Sequence, residues 1–146
     1  MIDSMSTGEV ANAERFERTG ITADAGTAAR TREEFTHWLH QFFDLDPVRT
    51  IDVVLAINEA LANSAEFAYL LATRPGTMDV QARYDTRDAR LTVTISDNGL
   101  WRGATADNRT RGRGIPLMRA LSDRAMVETS SSGTRVCLEW SDVHQV

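Results

Sequence analysis

Apolar and polar positions along this chain follow two different periods, and the changes of period mark out its elements. After Asp24 or Thr27, either of which can cap a helix, Phe35, Trp38, Leu39 and Phe42 recur at three- and four-residue spacing. That is one face of a helix ending near Asp44 to Pro47. A second helix begins near Pro47, a residue tolerated in a first turn, with Val54, Ile57, Leu61, Ala65 and Ala68 as its apolar stripe. It is expected to reach about Leu71, where Arg74-Pro75-Gly76 stops it. From Thr77 the period drops to two. Thr77 to Asp85 and Ala89 to Asp97 alternate around an Asp-Thr-Arg-Asp turn and read as a β-hairpin. A short helix over about Ile115 to Ser122 accepts Pro116 in its first turn. Strands Arg124 to Thr129 and Gly133 to Trp140 then flank a Ser-Ser-Ser-Gly turn.

The remaining stretches are less regular. Arg15 to Gly20 is a weaker strand candidate, expected to end at the glycine. Residues 1–13 show no period and read as a loose leader or linker remnant, leaving 14–146 as one domain. Asn98 to Gly112 is a long polar loop bearing glycine and arginine, of a length at which structureless loops are usually functional. The order is strand, helix, helix, hairpin, loop, helix, hairpin. Strands joined by short turns favour a largely antiparallel, mixed sheet with helices on one face, an α+β two-layer sandwich.

Composition narrows the function. A chain of 146 residues fits one domain, able to bury roughly two-thirds of its unfolded surface. No apolar run is long enough to span a bilayer, and Met1 to Ser6 lacks the basic start and apolar core of a secretory signal. The expectation is a cytoplasmic protein without a membrane partner. A net charge of −5 argues against a dedicated nucleic-acid binder, which needs a basic patch for phosphates. Yet all 16 basic residues are arginine, and four crowd Arg102 to Arg113, where guanidinium suits phosphate oxygens. Cys137, the single cysteine, excludes an intrachain disulfide and reads as a small residue on a strand. His37, His40 and His144 are scattered and make a poor metal set.

Four segments carry candidate chemistry. Glu59 and Asn63 stand four apart on the second helix, so both rise from one face. A carboxylate can take a proton and an amide oxygen is a hard ligand for Mg²⁺, although the same pair also describes a solvated face. Asp97-Asn98-Gly99 ends an apolar strand. A buried aspartate there can accept a hydrogen bond from an amino group such as that of adenine, and the triplet is also an ordinary turn sequence. Arg111-Gly112-Arg113-Gly114 precedes a helix, where bare backbone N–H groups and the helix terminus favour an anion; a flexible hinge reads the same way. Gly133-Thr134 opens the last strand, for which a β-turn is sufficient reason.

In this order and spacing the four segments resemble the GHKL (Bergerat-fold) ATPases, a superfamily that includes gyrase, histidine-kinase catalytic domains and mismatch-repair ATPases. The likeness extends over about Arg15 to Trp140. Within it, Glu-Ala-Leu-Ala-Asn-Ser-Ala-Glu-Phe-Ala-Tyr at 59 to 69 and Arg-Gly-Arg-Gly-Ile-Pro-Leu-Met-Arg-Ala-Leu at 111 to 121 are similar to the anti-sigma-factor serine kinases. The resemblance implies ATP and Mg²⁺ as cofactors and Glu59 as the general base acting on a serine of an anti-anti-sigma partner. It implies Asn63 as the Mg²⁺ ligand, Asp97 as the adenine anchor with Gly99 beside it, and Thr134 near the adenine. Gly112 and Gly114 match the hinge glycines of a lid over the triphosphate. Arg109, Arg111 and Arg113 are candidate phosphate contacts from charge and place. A sigma factor would be held in the competing complex, and family members often dimerise through the sheet, so a homodimer is one expected arrangement.

Two departures bear on activity. Phe67 stands where the family commonly has histidine, and Trp101 replaces the second glycine of the Asp-x-Gly-x-Gly box. A similar Gly-x-Trp-Arg sequence occurs in members fused to phosphatase and sensor domains. The alternative expectation is a catalytically weak or inactive nucleotide-binding module that sequesters a sigma factor or its antagonist, as one domain of a larger regulator.

Overall fold

A computed structural model describes residues 8–66, 76–98 and 114–146. In chain order the elements are β1 Gly8–Asn12, β2 Arg15–Thr22, α1 Ala25–Phe42, β3 Phe43–Asp44, α2 Pro47–Glu66, β4 Thr77–Asp85, β5 Arg90–Asp97, α3 Gly114–Leu121, β6 Arg124–Ser130, β7 Gly133–Trp140 and β8 His144–Gln145. Six strands form one sheet in the order β1-β2-β4-β5-β7-β6, every pair antiparallel. The expected α+β sandwich with a largely antiparallel sheet is therefore the fold.

Period-two sequence places one face of this sheet in the core. Met78, Val80 and Ala82 on β4, Leu91, Val93 and Ile95 on β5, and Val136, Leu138 and Trp140 on β7 are all buried. Their alternating partners, among them Gln81, Thr94 and Cys137, are half-buried on the other face. The helices answer with Phe35, Trp38 and Leu39 of α1, Val53, Ala56, Ile57, Ala60 and Leu61 of α2, and Met118 of α3. Phe16, Phe35, Trp38, Phe43 and Tyr84 form a continuous aromatic chain with centroids 5.0 to 5.7 Å apart, in edge-on or tilted geometries that suit the ring quadrupoles. The two buried indoles find acceptors: Trp38 Nε1 donates to the Asn12 carbonyl at 2.7 Å, Trp140 Nε1 to that of Leu121 at 2.9 Å.

Local chemistry sets the boundaries. Asp24 caps α1, its carboxylate accepting from Thr27 N–H at 2.7 Å. Asp46 does the same for α2, accepting from Arg49 N–H at 2.8 Å. Three findings depart from the expected elements. Residues 8–12, where no period is legible, form the edge strand β1, for an edge strand needs no apolar face of its own. Strand β2 does not end at Gly20. It shifts register between Arg18 and Ile21, with Gly20 at φ 67° and its N–H donating to Asp79 Oδ1 at 2.7 Å, then runs on to Thr22. Finally, β3 and β8 pair as a small second sheet after α1. The expected continuation of α2 to Leu71 lies outside the described residues, as do residues 1–7.

Candidate functional site

The alternation that buries Leu91, Val93 and Ile95 carries on to the last residue of β5, so Asp97 also faces the helix layer. An aspartate is thus set at the margin of an apolar core by strand period alone. In register it stands opposite Met78 on β4 and Thr134 on β7, and all three are buried. Helix α2 supplies the other wall. Ser64, fully buried, donates from Oγ to Asp97 Oδ2 at 2.7 Å. A buried carboxylate held this way has a fixed rotamer and a compensated lone pair.

The approach of β7 is equally specific. Gly133 adopts φ 142°, a region that side chains rarely enter. A Cβ there would overlap the Asp97 carbonyl oxygen and stand 2.9 Å from Asn98 Cα and 3.0 Å from Asp97 C. Glycine is therefore what lets the start of β7 close against the end of β5 and bring Thr134 level with Asp97.

Asn63 precedes Ser64 on α2 and is likewise buried, but its Oδ1 has no hydrogen-bond partner. A buried carbonyl oxygen without a donor is costly unless something else satisfies it. Glu59, half-buried, lies one helical turn earlier, about 6 Å along the axis. Among the described residues no group of three or more His, Cys, Asp and Glu side chains could hold a metal ion. An ion here would rest on Asn63 Oδ1 and on a ligand's own oxygens, the way Mg²⁺ is commonly held together with phosphates. The donor set fits that ion.

Asp97 and Thr134 are thus brought level at the ends of β5 and β7 against Ser64 of α2, with Asn63 next to Ser64 in sequence and Glu59 one turn earlier on the same helix. Gly114 is the first residue of α3, so the glycine-rich segment does run into a helix. Gly99, Arg109, Arg111, Gly112 and Arg113 lie outside the described residues, as do Phe67 and Trp101. Two participants were not assigned from sequence. Ser64 lies within the 59 to 69 segment, yet only the folded position of Asp97 gives it a partner. Gly133 reads as a turn residue, whereas its role is close backbone approach. A polar cleft of about 570 Å³ also reaches Asp97, Gly133 and Thr134, but Gln81, Thr94 and Ser96 line it from the sheet face away from α2.

The sequence profile of the histidine kinase-like ATPase domain matches residues 21–140. Among solved structures, the RsbU and RsbW domains of Rv1364c from Mycobacterium tuberculosis share the fold, with a TM-score of 0.67 and 22% identity over 86% of this chain. The chain spans 32% of the length of that structure. No helix among the described residues is long and apolar enough to cross a membrane.

Proposed function

Because this chain belongs to the histidine kinase-like ATPase domain family, we propose that it is an ATP- and Mg²⁺-dependent serine kinase that phosphorylates an anti-anti-sigma partner and holds a sigma factor in the competing complex, so regulating transcription. The observation that carries the reading is the pairing on α2 of a buried, unpartnered Asn63 Oδ1 with Glu59 one turn away, beside an Asp97 locked by Ser64. A structural core has no use for an orphaned amide oxygen. A site that receives a cation with a triphosphate does.

The roles follow from chemistry. Asp97 accepts a hydrogen bond from the exocyclic amine of adenine, with Thr134 next to it. Asn63 Oδ1 is the protein ligand for Mg²⁺, which neutralises phosphate charge when bound. Glu59 accepts the proton of the partner's serine hydroxyl as that oxygen bonds to the γ-phosphorus and the bond to the β-phosphate oxygen breaks, ADP leaving with its electron pair. Gly99, Gly112 and Gly114 give the surrounding backbone its freedom, and Arg111 and Arg113 meet phosphate oxygens. Such catalysis rests on positioning and charge neutralisation rather than on covalent steps.

The test is Glu59→Gln assayed with γ-labelled ATP and a candidate anti-anti-sigma protein. Loss of phosphoserine by about a hundredfold or more, with ATP affinity by calorimetry within about twofold, is the expected result. Equal transfer would remove Glu59 from the chemistry. ATP binding by wild type with no transfer to any partner would leave the second reading, a nucleotide-binding module that sequesters a sigma factor or its antagonist without catalysis.

A further inference from the structure

The six-stranded sheet ends on β6, which among the described residues pairs only with β7. The backbone of β6 is set by that pairing. The carbonyl of Glu139, which stands opposite Arg124, accepts from the Asp123 N–H at 2.9 Å and so faces β6. Antiparallel ladders alternate, so Arg124, Met126 and Glu128 turn their N–H and C=O groups to β7, while Ala125, Val127 and Thr129 turn theirs to the outer edge. A strand edge of this kind is a template for a further strand.

The side chains along β6 form a palindrome. Arg124, Met126 and Glu128 are exposed on the open face of the sheet, Met126 at 39%, and Ala125 and Val127 are partly buried against the core on the other face. A second copy turned antiparallel about Met126 sets Arg124 opposite Glu128, Met126 opposite Met126 and Ala125 opposite Val127. Each pair is matched in charge or in apolarity, the contacts that stabilise neighbouring strands. The strand behind extends the match, for β7 sets Glu139 opposite Arg124, Cys137 opposite Met126 and Arg135 opposite Glu128. Across four strands the outer rows then read acid, base, acid, base, and the row between them Cys, Met, Met, Cys. In a single copy Arg124 and Glu128 form no ion pair among the described residues, and Arg124 Nη2 folds back to Met126 Sδ at 3.6 Å. Other registers fail. Sliding by two residues sets Met126 against Glu128 or against Arg124, and sliding by four sets Glu128 against Glu128 or Arg124 against Arg124. At the opposite margin of the sheet β1 carries Glu9 as its one charge, which fixes no register.

We propose that β6 is a homodimer interface, two copies joining edge to edge about a two-fold axis that passes beside Met126 perpendicular to the sheet. The product is one sheet of twelve strands, six from each copy, with both helix layers on the same side. Ala125 of one copy and Val127 of the other exchange backbone hydrogen bonds, and the two Met126 residues form the close, non-hydrogen-bonded pair between them. This dimer leaves the open face of the sheet uncovered and needs neither nucleotide nor phosphoacceptor, so it stands apart from the kinase reading. The interface is one two-residue turn away from Gly133 and Thr134 of the candidate site, because β6 and β7 are arms of one hairpin.

The experiment is a charge swap followed by sedimentation velocity over a concentration series of the full chain. Wild type is expected to show a monomer–dimer equilibrium. Arg124→Glu sets Glu against Glu at both ends of the interface and Glu128→Arg sets Arg against Arg, so each variant alone should raise the dissociation constant by about tenfold or more. Mixed in equal amounts, the two variants regain opposite charges in every pair and should form a mixed dimer at the wild-type affinity or better, which also shows that both are folded. In parallel, Met126→Cys in a Cys137→Ser background should give a disulfide-linked dimer under mild oxidation, since a non-hydrogen-bonded pair has Cα atoms about 4.5 Å apart. Ser130→Cys in the same background should not, its counterpart lying more than about 20 Å away in this register. A wild type that stays monomeric throughout overturns the proposal. So does a dimer that survives both single swaps, the result of packing through the open face, or a mixture of the two variants that fails to pair.

Discussion

Replacing Gly133 by alanine tests the central claim about the site, that its geometry depends on close approach between the start of β7 and the end of β5. The added methyl overlaps the carbonyl oxygen of Asp97 and sits 2.9 Å from Asn98 Cα, where ordinary contact begins at 3.4 Å. The obstructing atoms are backbone, so no rotamer change can relieve the clash, and the strand ends must separate by about half an ångström or more. Two costs combine. Holding alanine at φ 142° costs about 1–3 kcal/mol, and forcing a methyl into packed structure costs about 1–3 kcal/mol. Partial relaxation shares them, so urea denaturation should show about 2–4 kcal/mol of destabilisation. The same displacement moves Asp97 relative to Ser64, and calorimetry should show ATP binding weakened by about tenfold or more. Gly26→Ala is the internal control: in the first turn of α1 a Cβ meets nothing closer than Asp24 Oδ1 at 3.8 Å. That change should stabilise by about 0.5–1 kcal/mol through backbone entropy and leave ATP affinity alone. If Gly133→Ala matches wild type in both assays, β7 does not position Asp97 and the reasoning is wrong.

Three further outcomes are expected. Ser64→Ala removes a buried hydrogen bond to a carboxylate, worth about 1.5–3 kcal/mol; ATP affinity should fall about tenfold, and an unchanged isotherm would deny Ser64 its positioning role. Asn63→Ala deletes an acceptor that has no partner, so chemical denaturation should move by less than about 1 kcal/mol while the Mg²⁺ dependence of ATP binding disappears in calorimetry; a large loss of stability would mean that Oδ1 serves the fold instead. Asp24 is held below its ordinary value of 3.8, first by the backbone hydrogen bond from Thr27 and then by that residue's side chain. A depressed carboxylate pKa stabilises the fold above the unfolded value and loses that contribution as pH falls through the folded one. Asp24→Ala should therefore cost about 1 kcal/mol at neutral pH, with the gap to wild type closing as thermal melts are taken into the acid range below 3.8.

What the sequence reveals of this fold is what repeats. The β4–β5 hairpin and β7 are legible because one face of each is buried and the other is not, and α1 because an aspartate cap precedes aromatic residues at helical spacing. Asp97 was legible as a strand-end acid, and Glu59 with Asn63 as an i, i+4 pair. The elements that escaped have no such contrast. Among the described residues strand β1 pairs only with β2, at the margin of the sheet, and β3 and β8 have two residues each. Gly20 reads as a strand terminator because a bulge and a terminator use the same residue, and only the carboxylate of Asp79 on β4 separates them. Ser64 carries no periodic signal, since its meaning depends on a partner 33 positions away. Local pattern gives elements, and long-range contact gives their polar roles.

The two sealed indoles have a practical consequence. Trp38 and Trp140 are shut away from water and spend their N–H groups on backbone carbonyls. Their emission should be blue-shifted and resistant to acrylamide quenching. The chain has three tryptophans, and the third, Trp101, belongs to the Asp-x-Gly segment. Any emission component without these properties is therefore assigned to Trp101 by elimination, which gives a label-free optical probe of that segment during nucleotide titration without any engineered fluorophore.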